Sequence, residues 1–187
     1  MPTLQESPVF PTLATDRLAL RALGPDDLDA YHALMQLPET TRFSNWPDSP
    51  GRDHMEGYIK RRIENFASGQ GCSWAIDDRP SGRFIGCIRF NYFIKDWKCG
   101  EVGYELHPDF WNRGLMTEAL RAIVACGHTV FGLHRIDAWT LPGNPASDHV
   151  LQKAGFRYEG TLRGRGWWKG SFHDFRIFGR IVGDPAR

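Results

Sequence analysis

The stretch Trp111-Asn112-Arg113-Gly114-Leu115-Met116-Thr117-Glu118-Ala119-Leu120 joins a predicted strand, Glu101 to Leu106, to a predicted amphipathic helix. A glycine-bearing turn between a strand and a helix is a place where a protein can hold phosphates. Gly114 lets the backbone approach a ligand closely, and the free N–H groups of the first helical turn point at it. Arg113 adds a fixed positive charge and Thr117 a hydroxyl. An ordinary strand-to-helix turn has the same outline, because one glycine is far weaker than a full nucleotide fingerprint.

Working outward, the helix from Thr117 carries Leu120, Ile123, Val124 and Phe131 on one face, and Arg135 to Thr140 follows as a strand. A short helix, Ala146 to Ala154, is stopped by Gly155, and strands Phe156 to Leu162 and Phe172 to Val182 close the chain. Upstream, Cys72 to Ile76 and Arg83 to Phe90 flank the turn-rich Asp77-Asp78-Arg79-Pro80-Ser81-Gly82, and Lys95 to Gly100 is a further turn. Met55, Ile59, Ile63 and Phe66 recur at helical spacing. Leu28, Tyr31, Leu34 and Met35 form an earlier apolar face behind Pro25-Asp26-Asp27, acids suited to a first helical turn. Leu18, Leu20 and Leu23 begin a strand-like pattern, and residues 1–14, with three prolines, read as a loose arm. The order is mixed α/β (α+β): a mostly antiparallel meander, a strand–helix–strand unit, a short helix and a final hairpin. We expect a flexible arm over 1–14 and one domain over 15–183.

The length of 187 residues suits one domain with a real core. A formal net charge of +1 gives no general pull towards nucleic acid or membrane. The 4 cysteines show no C-x-x-C spacing and no zinc-type cluster, so they read as reduced, mostly buried thiols of a cytoplasmic protein without a metal. No basic stretch precedes an apolar run at the N-terminus, and no apolar run is long enough to span a bilayer. A dinucleotide fold predicts G-x-G-x-x-G after an early strand, and that pattern is missing.

Three further signatures accompany the opening stretch: Thr15-Asp16-Arg17-Leu18, Leu133-His134-Arg135-Ile136-Asp137-Ala138, and Asn144-Pro145-Ala146-Ser147 followed by Val150-Leu151-Gln152-Lys153-Ala154-Gly155-Phe156 and Glu159-Gly160. Their order and spacing resemble the Gcn5-related N-acetyltransferase (GNAT) superfamily. The nearest branch is similar to the RimJ/RimL-type ribosomal-protein N-acetyltransferases, whose turn commonly starts with tryptophan, as at Trp111. The resemblance implies acetyl-CoA as co-substrate and a splayed central strand pair, Glu101–Leu106 and Arg135–Thr140, between which the pantetheine arm inserts. It places the cofactor against Leu106, His107, Trp111, Asn112, Arg113, Gly114, Leu115, Met116, Thr117, Asn144 and Ser147. Gly103 is a candidate bulge that helps the splay. Asn144 has two compatible readings, an N-cap ahead of Pro145 and a pantetheine ligand. Ser147 reads as a solvent-facing helix residue or, as the resemblance implies, as a hydrogen-bond partner of the departing thiolate. Lys153 reads as a solvated helix residue, the alternative being contact with a CoA phosphate.

Acetyl transfer needs a neutral amine, so a nearby carboxylate helps by accepting a proton. Glu101 and Glu105 share one strand face by period-two alternation and are the candidate bases. The ordinary alternatives are a solvated strand-start residue and a salt-bridge partner. Two departures from the resemblance stand out: Leu151 occupies the place of a tyrosine acid, and Gly166 the place of a RimL-type glutamate. Trp46, Tyr92, Phe93, Trp97, Trp167 and Trp168 fall in the loops that would flank the acceptor groove, while Asp174 would orient His173, bind the amine or serve a structural salt bridge. Trp46, Tyr92, Trp168 and Asp174 are the substrate-side candidates; core packing and a homodimer interface are the competing uses of the aromatics. The reading is an acetyl-CoA-dependent N-acetyltransferase acting on a protein N-terminal α-amine or a small amine. The alternative is a CoA-binding sensor or interaction module that lacks catalysis.

Overall fold

Alternating apolar residues build one sheet from eight strands in the computed structural model, which describes residues 9–185. The strands are β1 (Leu13–Ala14), β2 (Leu18–Ala22), β3 (Cys72–Asp78), β4 (Arg83–Ile94), β5 (Cys99–Leu106), β6 (Arg135–Thr140), β7 (Arg157–Trp168) and β8 (Ser171–Ile181). The helices are α1 (Leu28–Met35), α2 (Pro38–Thr41), α3 (Arg52–Ala67), α4 (Leu115–Thr129) and α5 (Pro145–Lys153). The order across the sheet is β1-β2-β3-β4-β5-β6-β8-β7. All neighbours run antiparallel except β5 and β6, which are parallel because α4 connects them.

Both faces of the sheet are covered. Trp74, Ile76, Ile88, Phe90 and Val102 pack with Leu120, Ile123 and Val124 of α4 in one buried cluster. On the opposite face Ala75 and Cys87 pack with Tyr31, Met35, Met55 and Ile59 of α1 and α3. Each of the larger side chains buried in this way contributes roughly 1.5–3 kcal/mol relative to exposure. The four cysteines are buried and unpaired.

Several boundaries differ from the sequence expectation; β4, for one, runs on to Ile94 and β7 to Trp168. Of the arm placed over 1–14, residues 1–8 lie outside the described residues. Leu13 and Ala14, however, pair with Leu20 and Ala19. Phe10 packs edge-on against Phe66 and Trp74, and the Trp74 indole donates to the Pro11 carbonyl at 2.7 Å. The second half of the arm is thus part of the fold. The helix expected from Thr117 starts at Leu115, because Gly114 already caps it.

Candidate functional site

Strand β5 is bonded differently along its two edges. Towards β4 it is paired from Cys99↔Ile94 to Leu106↔Gly86. Towards β6 the pairs are Cys99↔Arg135, Gly100↔Ile136 and Glu101↔Asp137, and no pair follows among the described residues. Beyond Glu101 the two parallel strands separate, leaving a V whose walls are residues 102–106 and 138–140. The expected bulge at Gly103 lies elsewhere: the register shifts on β4, between Phe90 and Tyr92, while Gly103 pairs regularly with Arg89. Gly103 matters through its missing side chain, since a Cβ there would stand 2.9 Å from Asn91 Nδ2 and 3.2 Å from an Arg89 nitrogen.

At the open end of the V the chain turns into α4. Asn112 and Gly114 both have left-handed backbones, with φ of 59° and 74°. Gly114 is the N-cap and supplies no side-chain cap, so the N–H groups of the first turn keep their donors for another partner. Leu115, Met116 and Thr117 are buried and anchor the first turn against the core. The Trp111 indole donates to the Leu106 carbonyl at 2.7 Å and ties the turn to the end of β5. Arg17, part of the Thr15–Leu18 signature and just ahead of β2, braces the turn. It pairs with Glu118 at 2.6 Å and donates to the Arg113 carbonyl at 2.9 Å. Burial works to raise the Glu118 pKa, but the hydrogen bonds from Thr15 and Arg17 outweigh it and hold the carboxyl below its usual value.

The first turn of α5 spans the two walls of the V. Asn144 is the N-cap, its side chain accepting from the Ser147 N–H at 3.3 Å, with Pro145 in the first turn. Ser147 Oγ lies 2.8 Å from the Tyr104 hydroxyl on β5. Asp148 accepts from Thr140 on β6 at 2.6 Å and forms an ion pair with Arg176 on β8 at 3.0 Å.

A splayed parallel pair, an uncapped helix start at its mouth and a second helix start across it point to one family. A family model described as acetyltransferase (GNAT) domain matches residues 17–157. The chain belongs to the GNAT acetyltransferases. It is 31% identical over 170 residues to the uncharacterized N-acetyltransferase YoaA of Bacillus subtilis, covering 91% of this chain and 96% of that protein. It is 28% identical to the ribosomal protein uS5-alanine N-acetyltransferase of Escherichia coli, over 81% of this chain and 80% of that one. Among solved structures, RimL, described as a ribosomal L7/L12 alpha-N-protein acetyltransferase in complex with coenzyme A, superposes with a TM-score of 0.85. That match covers 94% of this chain and 100% of RimL at 21% identity, a likeness of fold.

Within this GNAT fold the candidate residues separate into two groups. The turn residues 111–117 lead into α4, and Asn144 and Ser147 lie at the start of α5, beside the V. Glu105 does not behave as a free base. It is buried, and its two oxygens accept from Arg89 at 2.5 and 2.9 Å, from Tyr31 at 3.1 Å and from the Trp46 indole at 3.0 Å. Four donors occupy the carboxylate, so no lone pair is left for a substrate proton. Trp46 is likewise no exposed wall: it is buried against Tyr58 and Tyr31. Arg89, which sequence reading passed over, is the cation of this network. Burial works against its charge, but the Glu105 carboxylate beside it holds its pKa above the usual guanidinium value. An arginine inside the apolar run Ile88-Arg89-Phe90 was the available signal, since such a charge needs a buried partner.

Glu101 is different. Its oxygens accept from Asn91 Nδ2 at 3.0 Å and from the Tyr92 hydroxyl at 2.9 Å, one donor each. Asn91 is itself held by Arg89 Nε at 2.8 Å. A continuous polar chain therefore runs from Glu105 through Arg89 and Asn91 to Glu101, at the point where the V opens.

His107 points away from a ligand role. Its N–H donates to Ile85, its carbonyl accepts from Phe110, and its ring accepts from the Asp109 N–H. Asp174 does not orient His173; it accepts from the Gly164 N–H at 2.7 Å where the β7–β8 register shifts. The aromatics do not form a single cluster. Phe93 packs with Phe90 and Phe131, Trp97 is exposed, and Trp167 meets Phe172 at the hairpin tip. Trp168 stacks on His173 and, with Phe175, covers Gly166 so closely that a Cβ there would stand 2.2 Å from the Trp168 ring. A glutamate at that place has no room, which accounts for the glycine.

Among the described residues, no helix is long and apolar enough to cross a membrane.

Proposed function

We propose that this GNAT enzyme transfers an acetyl group from acetyl-CoA to a primary amine, with a protein N-terminal α-amine as the favoured acceptor. The observation that carries the cofactor assignment is the separation of β5 from β6 beside the uncapped start of α4. Free N–H groups, a glycine without a Cβ and the nearby Arg113 suit a pyrophosphate. When bound, acetyl-CoA supplies an activated acyl thioester. Backbone groups of residues 102–106 face the V and are placed to hydrogen-bond the pantetheine arm and polarise the carbonyl. Glu101, with an open lone pair on each oxygen, takes the amine proton directly or through water. Ser147, in the first turn of α5, offers its hydroxyl to the departing sulfur, and the helix start favours negative charge there.

The acceptor assignment rests on the relatives rather than on a cleft, since the open depression lined by Pro38, Glu39, Arg42, Asp48 and Lys169 shares no residue with the V. RimL and the uS5-alanine enzyme, by their descriptions, act on ribosomal proteins. Calorimetric titration with acetyl-CoA, followed by panels of peptides and small amines, tests both parts. Micromolar binding and acetylation of peptide N-termini are expected; turnover confined to small amines would remove the acceptor assignment.

The occupied Glu105 and the filled space at Gly166 favour one competing reading, a CoA-binding module without catalysis. Glu101→Gln separates the two: an enzyme loses about a hundredfold or more in kcat, the scale of acid–base contributions, whereas a sensor binds CoA unchanged and turns over no amine in either form.

A further inference from the structure

Tyr104 is the one hydroxyl on the β5 wall of the V, and nothing in the reaction outlined above uses it. Its oxygen lies 2.8 Å from Ser147 Oγ and 3.5 Å from the Ser147 carbonyl. The place where the resemblance predicts a tyrosine acid holds Leu151, buried at 1% exposure, so no phenol comes from α5. We propose that Tyr104 is a positioning residue for Ser147: its phenol donates to Ser147 Oγ, which leaves the serine's own proton free to point at the sulfur of CoA. This inference rests on the acetyl-CoA reading of the site.

A serine hydroxyl has one proton and rotates to suit its surroundings. Alone, the Ser147 hydroxyl can turn among its staggered rotamers. A fixed donor at 2.8 Å occupies one of its lone pairs and thereby selects the rotamers in which its proton faces elsewhere. Either hydroxyl can donate across the 2.8 Å bond, and we assign the donated proton to the phenol. Burial pushes the Tyr104 pKa above its usual value, with the bond to Ser147 working in the opposite direction and Asp148 adding to the rise. Tyr104 therefore keeps a proton to donate. The neighbouring charges are settled: Asp148 is held by Thr140 and Arg176. Because Asp148 grips β6 while Ser147 meets β5, the first turn of α5 is fixed to both walls, and the serine has little freedom to drift.

The test reads the ligand thiol rather than turnover. The ultraviolet absorbance of the thiolate gives the pKa of the thiol of bound CoA during a pH titration, with isothermal calorimetry confirming saturation. In the wild type the bound thiol titrates below free CoA. Ser147→Ala raises its pKa by about one unit or more, the scale of one hydrogen bond to an anion. Tyr104→Phe, which keeps the ring and its packing, raises it by a measurable fraction of that shift. The decisive variant is the double one: Tyr104→Phe adds nothing once Ser147 is alanine. A Tyr104→Phe protein with the wild-type thiol pKa, or one whose shift persists in full in the Ser147→Ala background, would overturn the inference. If Tyr104→Phe fails to fold, biosynthetic replacement of tyrosine by 3-fluorotyrosine keeps every hydroxyl and strengthens the donor. The bound thiol pKa must then fall in the wild type and stay put in Ser147→Ala; no fall in the wild type would also overturn it. Failure of wild-type protein to bind CoA at all removes the cofactor reading and this inference together, whereas binding with a thiol indifferent to Tyr104 removes the inference alone.

Discussion

The two faces of β5 treat their polar groups in opposite ways. On the face towards α1 and α3, Glu105 is enclosed by Arg89, Tyr31 and Trp46, with each oxygen accepting twice. On the face towards α5, Tyr104 and Ser147 share a single hydrogen bond beside an open V. The first arrangement is saturated and holds the strand in place; the second keeps capacity in reserve for a ligand. Paired carboxylates on one strand face looked interchangeable from alternation, yet only Glu101, at the edge of the network, keeps room to accept a proton. A residue's distance from saturation separates a structural carboxylate from a chemical one more reliably than its place in the sequence.

The largest expected effect comes from breaking the saturated side. Glu105→Gln leaves the Arg89 guanidinium buried beside a neutral partner and should cost roughly 3–5 kcal/mol in denaturant unfolding. Replacing Arg89 and Glu105 together by methionine should cost much less than Glu105→Gln alone, because no charge is then left unpaired. A loss below about 1 kcal/mol for Glu105→Gln would mean that this carboxylate is not the anchor. Next in size is Gly103→Ala. The new methyl group would press on Asn91 and Arg89, whose mutual hydrogen bond keeps them from yielding, and about 1–3 kcal/mol is expected. If the network transmits to Glu101, kcat should fall with it while acetyl-CoA affinity holds.

The layers that depend on local pattern were legible in the sequence. Period-3.6 spacing gave α3 and α4, alternation gave β3 and β5, and Arg135–Thr140 has the boundaries expected of it. The turn before α4 was legible because its left-handed backbone is one that Gly114 announces. What stayed hidden depends on contacts distant in sequence. Nothing near Glu105 announces that Tyr31 and Trp46, 74 and 59 positions away, donate to it. The same holds for Arg17, whose partner Glu118 lies 101 positions on. The two-residue β1 and the four-residue α2 are too short for any period to register. Strand β7 continues through Gly160, Gly164 and Gly166 to Trp168, past glycines that argue against a strand, because its pairing with β8 outweighs local preference.

On the open side, Gly114→Ala should act mainly on the ligand. A side chain at φ of 74° costs about 1–2 kcal/mol. If the turn keeps its shape, that cost appears in unfolding; if the turn relaxes, it appears as acetyl-CoA binding weakened about tenfold. Affinity and stability both unchanged would mean that the left-handed turn is not required.

The smallest effect is the most specific to the brace between the two regions. Glu118 ties α4 to Arg17, and its carboxyl titrates below the usual 4.5 in the folded protein. A depressed folded-state pKa means that the unfolded chain takes up its proton first as the pH falls. The stabilisation is therefore complete above the unfolded value and is lost as the pH drops through the folded one. Compared with the wild type, Glu118→Gln should be less stable at neutral pH, by up to about 1 kcal/mol given the solvent exposure of Arg17. The two proteins should converge well below pH 4.5, where both side chains are uncharged. Parallel stability curves from pH 7 to pH 3 would assign the Glu118 contribution to packing instead of charge. A gap that also closed at high salt and neutral pH would show that the brace is held by the ion pair more than by the Thr15 hydroxyl and the Arg17 N–H.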